Sequence, residues 1–246
     1  MNQGVTRECN PSFFVHRAPN MPQRPDAFVF DAYGTLFDVH AVTTLGDALV
    51  PGRGAALSAA WRAKQLEYSW LNALMAGPRR RRDDFAAVTA AALDYAIDAL
   101  SLPIDGSGRA RLIDAYRTLA PFPDALAALQ GLRGRPRWIL SNGTHAMLDP
   151  LVRSSSLAGE VDGVLSVDEV DAYKPSAPVY QLACDRLHLA PAAIGFVSSN
   201  GWDAAGATVF GFRTFWVNRA GSAVDRHAPP PHHEVTSLRD VVALAR

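Results

Sequence analysis

The chain has 246 residues, of which 48% are apolar, and its 24 basic side chains balance 24 acidic ones. A chain of this length can bury a full core, as one large domain or as two unequal ones. The balanced charge gives no electrostatic reason to expect a nucleic acid or an anionic membrane as a partner. With two cysteines, Cys9 and Cys184, far apart, the sequence supports neither a disulfide framework nor a cysteine-based zinc site.

The N-terminal residues show no targeting or membrane signal. Residues 1–24 contain three prolines and no periodic apolar pattern, which predicts a mobile leader. No run approaches the ~18 apolar residues of a membrane span, and no apolar stretch suits a secretory signal. We therefore expect a soluble, cytoplasmic protein without a membrane partner.

Strand-length apolar runs recur along the remainder of the chain, and helical or loop segments separate the later ones. These runs are 27–30, 137–140, 163–167, 194–198 and 212–217. Strands that alternate with helices predict a doubly wound α/β core, in which a parallel sheet is covered on both faces.

The hundred or so residues between the first two strands lack a convincing strand but show helical periodicity at 55–76 and 85–100. Such a stretch is too long for a strand-to-helix connection. We expect a helical cap at 40–120 inserted into a core formed by 25–39 and 121–246. The basic run Arg79–Arg82 is interpreted as a solvated connection between helices, with a nucleic-acid patch as the weaker alternative.

Near the C-terminus, 222–231 is expected to be a proline-rich surface loop. The three histidines at 227–233 lie in or beside it and are interpreted as solvated rather than as metal ligands. Ser237 and Asp240 then resemble a capping box that opens a last helix.

Polar residues follow four of the predicted strands, where ligands of parallel α/β sheets bind. They are Asp31 after the first strand, Ser141 and Asn142 after the second, Lys174 after the third, and Ser198, Ser199, Asn200 and Asp203 after the fourth. Each alone is consistent with ordinary loop polarity, but four such groups at one edge favour a site.

A buried carboxylate at Asp31 requires a cation, and Lys174 is the candidate. Of the 24 basic residues, only Lys64 and Lys174 are lysine, so arginine meets the general demand for positive charge. Gly34 permits a sharp turn after Asp31, and the hydroxyl of Thr35 is expected to hold the carboxylate.

Five blocks in this order carry a family resemblance: FDAYGTLFDV, WRAKQLEYSW, SNG, SVDEVDAYKP and FVSSNGWDAAGA. Over about 26–245, the chain resembles the haloacid dehalogenase (HAD) superfamily, and more closely its type II L-2-haloacid dehalogenases. The resemblance implies a Rossmann-like core, an inserted cap, no cofactor and no metal.

The same superfamily contains Mg²⁺-dependent phosphatases, in which a second aspartate protonates a poor leaving group. Here Tyr33 stands at that position, and Ser198-Ser199-Asn200 with Asp203 offers one carboxylate where acidic metal ligands are needed. A departing halide needs no proton, so these differences favour dehalogenation. A phosphatase and a non-catalytic small-anion binder stay open as alternatives.

By resemblance, Asp31 attacks C2 of a short L-2-haloacid, and water hydrolyses the aspartyl ester to a D-2-hydroxy acid. Lys174 neutralises the Asp31 environment, and Tyr180 lies nearby. Asp203, supported by Ser198 and Asn200, positions or activates the water. The resemblance gives substrate and halide contacts to Ala32, Tyr33, Arg62, Leu66, Phe85, Ser141, Asn142 and Trp202.

The segment before Phe85 departs from the family, which usually has an aromatic residue there, whereas Gly77–Arg82 is basic and lengthened. This difference affects the assignment of Phe85 and the shape of the pocket. The helix rich in tryptophan and leucine also leaves a homodimer open as the macromolecular partner.

Overall fold

The five apolar runs of the sequence and one further short strand form a parallel sheet in the order β3-β2-β1-β4-β5-β6. The computed structural model describes residues 24–79 and 81–245; the leader expected at 1–24 lies outside the described residues except for Arg24. The strands are β1 Ala27–Phe30, β2 Arg137–Ser141, β3 Gly163–Ser166, β4 Ile194–Ser198, β5 Arg213–Val217 and β6 His233–Val235. The predicted α/β fold is confirmed.

Helices cover the sheet and fill the connection between its first two strands. They are α1 His40–Leu49, α2 Gly54–Met75, α3 Phe85–Ala99, α4 Gly106–Ala115, α5 Ala125–Gly131, α6 His145–Ser154, α7 Ala177–Leu187, α8 Gly201–Phe210 and α9 Leu238–Ala245. Residues 40–120, with α1 to α4, are called the helical segment below. Helix α2 buries Leu57, Trp61, Gln65 and Ser69, one residue from each turn, against its neighbours.

Strand register brings the carboxyl ends of the central strands together. Phe30 of β1 pairs with Ile139 of β2 on one side and with Val197 of β4 on the other. The residues that follow, Asp31 and the ends of β2 and β4, therefore lie next to one another. From β1 the strand order runs in opposite directions, through β2 to β3 on one side and through β4 and β5 to β6 on the other. Such a reversal of strand order is the switch point where parallel sheets bind ligands.

Strand β6 was not predicted, and it corrects the interpretation of one histidine. His233 pairs with Phe215 of β5, and its ring stacks on that of Phe215 at a centroid distance of 4.8 Å. Burial, followed by the charge of Arg213, lowers its pKa. His232 bonds to Thr214, whereas His227 is exposed. His233 is therefore part of the sheet edge and not a solvated loop residue.

The expected cap of α9 is confirmed, since the Ser237 amide donates to Asp240 at 2.9 Å.

The interpretation of the basic run as solvated is wrong for its last residue. Arg81 is exposed, but the Arg82 side chain is 3% exposed and pairs with Asp168 at 2.7 Å. The reason is that the connection between α2 and α3 folds back onto the core, where Asp168 supplies a charge partner.

Two surface observations bear on the expected partners. Leu71, Leu74 and Met75 of α2 and Tyr95 of α3 are exposed although they are large and apolar. Such a patch is where a homodimer would form, and the dimer stays a prediction. Within 24–79 and 81–245, no helix is both long and apolar enough to cross a membrane.

Gly206 allows α8 to pack closely on the loop and helix that follow β3. A Cβ atom at Gly206 would collide with the Pro175 ring and lie 2.8 Å from the Tyr180 hydroxyl. Gly206→Ala should lower the free energy of unfolding by about 1–3 kcal/mol, as overpacking usually does. Chemical denaturation measures this, with Gly106→Ala as the control, because a Cβ there meets nothing within 4 Å. Equal stability of both variants would contradict the predicted close packing.

Candidate active site

A buried ammonium lies between two buried carboxylates at the switch point. Lys174 Nζ is 3.1 Å from Asp31 Oδ1 and 2.8 Å from Asp203 Oδ2. Its side chain is 1% exposed, so the charge is removed from water on all sides. Burial alone would lower the pKa of Lys174, but the Asp203 and Asp31 carboxylates outweigh burial and raise it. Lys174 therefore stays protonated in the fold.

The Asp31 carboxylate is held at both oxygens. Oδ1 accepts from Lys174, and Oδ2 accepts from the Thr35 hydroxyl at 3.1 Å and from Asn200 Nδ2 at 2.8 Å. Thr35 Oγ1 in turn accepts from the Ser199 amide at 2.8 Å. The expected bond from Thr35 is confirmed, and the carboxylate cannot rotate without losing one of these bonds.

The Asp203 carboxylate is held by Tyr180 and Lys174. Its Oδ1 accepts from the Tyr180 hydroxyl at 2.7 Å, and its Oδ2 accepts from Lys174. The pKa of Asp203 is raised. Burial is the largest cause, and the charge of Lys174, which lowers the pKa, offsets it only in part. The expected support from Asn200 is present in the backbone, where the Asn200 carbonyl accepts from the Asp203 amide at 3.0 Å, and the role of Ser198 stays a prediction. The Ser198 hydroxyl accepts from the Asn200 amide at 3.1 Å, and the Asn200 side chain faces Asp31.

Arg62 of α2 reaches the sheet edge from the helical segment. Its Nη2 donates to Asn200 Oδ1 at 3.2 Å, and its Nη1 donates to Gln65 Oε1 at 2.7 Å. Gln65 is fully buried and donates to Thr89 Oγ1 at 2.7 Å. Sequence reasoning missed Gln65, although its place three residues after Arg62 on the buried face of α2 was an available signal.

These groups surround a small closed cavity. Its walls are Asp31, Tyr33, Arg62, Phe85, Ser141, Asn142, Lys174, Asn200 and Trp202, all of them predicted site residues. The cavity volume of about 10 Å³ is at the lower limit for holding one water molecule. A larger occupant requires the walls to move apart, and Arg62 and Phe85 belong to the helical segment.

The other predicted residues lie outside these walls. Ala32, Thr35, Tyr180, Ser198 and Asp203 are buried around the cavity, and Leu66 is half-buried. The expectation that Leu66 lines the pocket is therefore not met in this closed arrangement. Phe85 does lie at the wall, with its ring stacked on that of Tyr33 at 6.4 Å.

The described residues offer no cluster suited to a metal. Among 24–79 and 81–245, no three His, Cys, Asp or Glu side chains form a group that could hold a metal ion. Asp31 and Asp203 do face each other, but the Lys174 ammonium occupies the space between their oxygens. These residues fit a positively charged side chain rather than a divalent cation.

Comparison with known proteins agrees with this geometry. A family model described as haloacid dehalogenase-like hydrolase matches residues 25–211. The chain belongs to this family. Among relatives of this haloacid dehalogenase-like hydrolase, the (S)-2-haloacid dehalogenase of Pseudomonas sp. (strain YL) is 48% identical over 218 residues, covering 87% of this chain and 92% of that protein.

Solved structures of haloacid dehalogenase-like hydrolases match the whole fold. One L-2-haloacid dehalogenase has a TM-score of 0.87 and 43% identity, covering 90% of this chain and 99% of that one. The L-2-haloacid dehalogenase of Xanthobacter autotrophicus with chloropropionic acid covalently bound has a TM-score of 0.82 and 39% identity, covering 90% and 98%. The family resemblance seen in the sequence is confirmed.

Lys174→Met should lower the free energy of unfolding by about 3–5 kcal/mol, because two buried carboxylates lose their shared cation. The raised pKa means that the ammonium contributes fully below its ordinary value of 10.5 and that its contribution is lost as the pH rises through the higher folded value. The difference in the free energy of unfolding between the wild type and Lys174→Met, measured in urea, should therefore become smaller above pH 10.5.

The control is Lys64→Met, the other lysine of the chain, whose ammonium pairs with Glu67 on the surface of α2 at 2.8 Å. Its unfolding midpoint should fall much less than that of Lys174→Met, because Lys64 loses only a pair with the half-exposed Glu67 and a contact with the Tyr95 ring at 4.1 Å. A similar loss in both variants would show that the buried position of Lys174 carries no special weight.

Proposed function

We propose that this chain hydrolyses short L-2-haloacids to D-2-hydroxy acids through a covalent ester on Asp31, without a metal. The observation that carries the proposal is the Asp31 carboxylate, fixed at both oxygens beside a cavity that Arg62 also lines. The (S)-2-haloacid dehalogenase relatives and the neighbour with covalently bound chloropropionic acid support it.

In the first step, a carboxylate oxygen of Asp31 attacks C2 of the acid from behind the carbon–halogen bond. The new C–O bond forms as the halogen leaves with the bonding electron pair. Attack from behind inverts C2, so an L-substrate gives the D-configuration. No proton is transferred, because a chloride or bromide ion is stable in water.

In the second step, water attacks the carboxyl carbon of the Asp31 ester and not C2. The bond between that carbon and the ester oxygen breaks, and the 2-hydroxy acid leaves with one proton of the water. The other proton goes to solvent, and Asp31 is restored with the oxygen of the water. C2 keeps the configuration that the first step produced.

Charge explains why cations are needed on both sides. Two like charges about 4 Å apart repel by ~4 kcal/mol at an effective dielectric constant near 20. The substrate carboxylate meets this repulsion from Asp31, and Lys174 and Arg62 offset it. We propose that Arg62 and Asn142 receive the halide.

The substrate carboxylate would bind Ser141 and the amides of Ala32 and Tyr33. Around the turn, Thr35, Leu36 and Phe37 donate to the Ala32 carbonyl, whereas the amides of Ala32 and Tyr33 give no backbone–backbone bond in the described chain. Two unused amides beside a nucleophile form a site for an anion.

Tyr33 distinguishes this site from that of a phosphatase. Burial is the main cause that raises the pKa of its hydroxyl, and electrostatic interactions with Tyr116 and Asp31 raise it further. A phenol in this state is a weak proton donor for an alkoxide leaving group, which favours a leaving group that departs as an anion. Together with Phe85 and Trp202, its ring makes the wall that excludes competing water.

The purified protein should release chloride from L-2-chloropropionate and form D-lactate, with the rate unchanged by EDTA. Chloride detection and chiral chromatography measure this, and Asp31→Asn should abolish both products. Phosphate release that depends on Mg²⁺, without halide release, would instead support a phosphatase. Retained turnover in Asp31→Asn would exclude the ester mechanism.

A single turnover in H₂¹⁸O should place the label in the Asp31 carboxylate and leave the first hydroxy acid unlabelled. Mass spectrometry of the peptide containing Asp31 measures the label, and a reaction in ordinary water is the control. Label found directly in the hydroxy acid would mean that water attacks C2 without a covalent step.

A further inference from the structure

The connection between α2 and α3, residues 76–84, carries a buried cation that the proposed mechanism does not use. Arg82 Nη2 lies 2.7 Å from Asp168 Oδ1, and its Nε lies 3.4 Å from Asp171 Oδ1. Its guanidinium also stacks on the Tyr173 ring at 4.3 Å. All three partners belong to the segment between β3 and α7, which also carries Lys174.

A second contact fastens the same two segments. The Tyr173 hydroxyl donates to the Asp83 carbonyl at 2.8 Å, and Arg82 Nη1 donates to the same carbonyl at 3.2 Å. The connection is thus held to the segment after β3 by charge, by stacking and by the hydrogen bond from Tyr173, while the bond from Arg82 to Asp83 orders the connection itself. Arg82 is the cation in this set, and the guanidinium geometry allows it to serve two carboxylates and a ring face together.

The contacts of Arg82 lead to the cavity from two directions. Tyr173 precedes Lys174 directly, and its ring contacts that of Phe85 at 6.1 Å. Phe85 begins α3 three residues after Arg82 and stacks on Tyr33. A movement of the connection would therefore displace both Phe85, which lines the cavity, and the loop at 167–176 that carries Lys174.

We propose that Arg82 is a positioning residue that holds the helical segment in register with the loop of Lys174, and so sets Phe85 and Lys174 for the reaction. This inference rests on the proposed dehalogenation. Without the guanidinium, Asp168 and Asp171 repel each other beside Tyr173, and the connection loses its charged anchor. Misplacement by about 1 Å can slow a reaction by roughly 10²-fold, even when the change lies away from the reacting atoms.

The test compares Arg82→Gln with Arg81→Gln, a matched control because Arg81 is the preceding residue of the same basic run and is exposed. In the chloride-release assay, Arg82→Gln should lower kcat about 10-fold to 100-fold, while Arg81→Gln should stay within about twofold. Arg82→Lys should recover part of the loss, since an ammonium keeps the charge without the fork.

Hydrogen exchange supplies a readout that does not depend on activity. Arg82→Gln should speed exchange at 167–176 and at the connection, but not in β1, β2 or β4. Asp168→Asn should also speed exchange at these residues. The double variant should exchange little faster than Arg82→Gln alone, because both changes break the same contact. If Arg82→Gln does not fold, Arg82→Lys and Asp168→Asn carry the same comparison.

Unchanged kcat in Arg82→Gln of an active protein would overturn this inference alone, as would an equal loss in Arg81→Gln. Faster exchange spread over the whole sheet would also overturn it, because that pattern is general destabilisation. A wild-type protein that releases no halide would overturn the proposed function first. In that case, exchange at 167–176 would still show whether Arg82 orders the lysine loop.

Discussion

The site depends on one ammonium shared by two carboxylates away from water. Asp31 and Asp203 each need a cation in this position, since burying an unpaired charge costs several kcal/mol. Lys174 meets both needs at once, and the sheet makes this feasible because parallel strands bring their carboxyl ends to one edge. The Tyr180 hydroxyl completes the arrangement by satisfying the remaining oxygen of Asp203.

The net charge of this group explains how it can receive an anion. Asp31, Asp203, Lys174 and Arg62 sum to zero, so a bound haloacid brings the total to one negative charge. Ester formation neutralises Asp31 while a halide appears, so the total does not change during the proposed first step. In that step the negative charge moves from Asp31 to the halide. The proposed halide contacts at Arg62 and Asn142 would already be in place to receive it, which is the condition for preorganised electrostatic stabilisation.

The sequence predicted the parts of this site that depend on strand ends. Asp31, Asn142, Lys174 and Asn200 each follow an apolar run, and strand order alone brings them together. Residues whose role depends on distant partners were harder to predict. Arg82 looked like one of a solvated run because its partner Asp168 is 86 positions away.

Short or unpatterned features were also missed. Strand β6 has three residues, too few to show alternation, and it is held by pairing with β5 and by stacking of His233 on Phe215. Gln65 lies within the block WRAKQLEYSW, but the sequence assigns it no role, and its importance follows from its bond to Arg62. The bond from Tyr180 to Asp203 was not predicted either, because the two residues are 23 positions apart and no pattern in the sequence links them.

The side-chain amide of Asn200 links Asp31 to Arg62, since its Nδ2 donates to the Asp31 carboxylate and its Oδ1 accepts from the Arg62 guanidinium. A bond to an ionised carboxylate is roughly twice as strong as one to a neutral group. In the proposed ester of Asp31, this side-chain amide would lose much of its hold on one side and be freer to turn. The orientation of the guanidinium would thereby be linked to the chemical state of Asp31 through a single planar group.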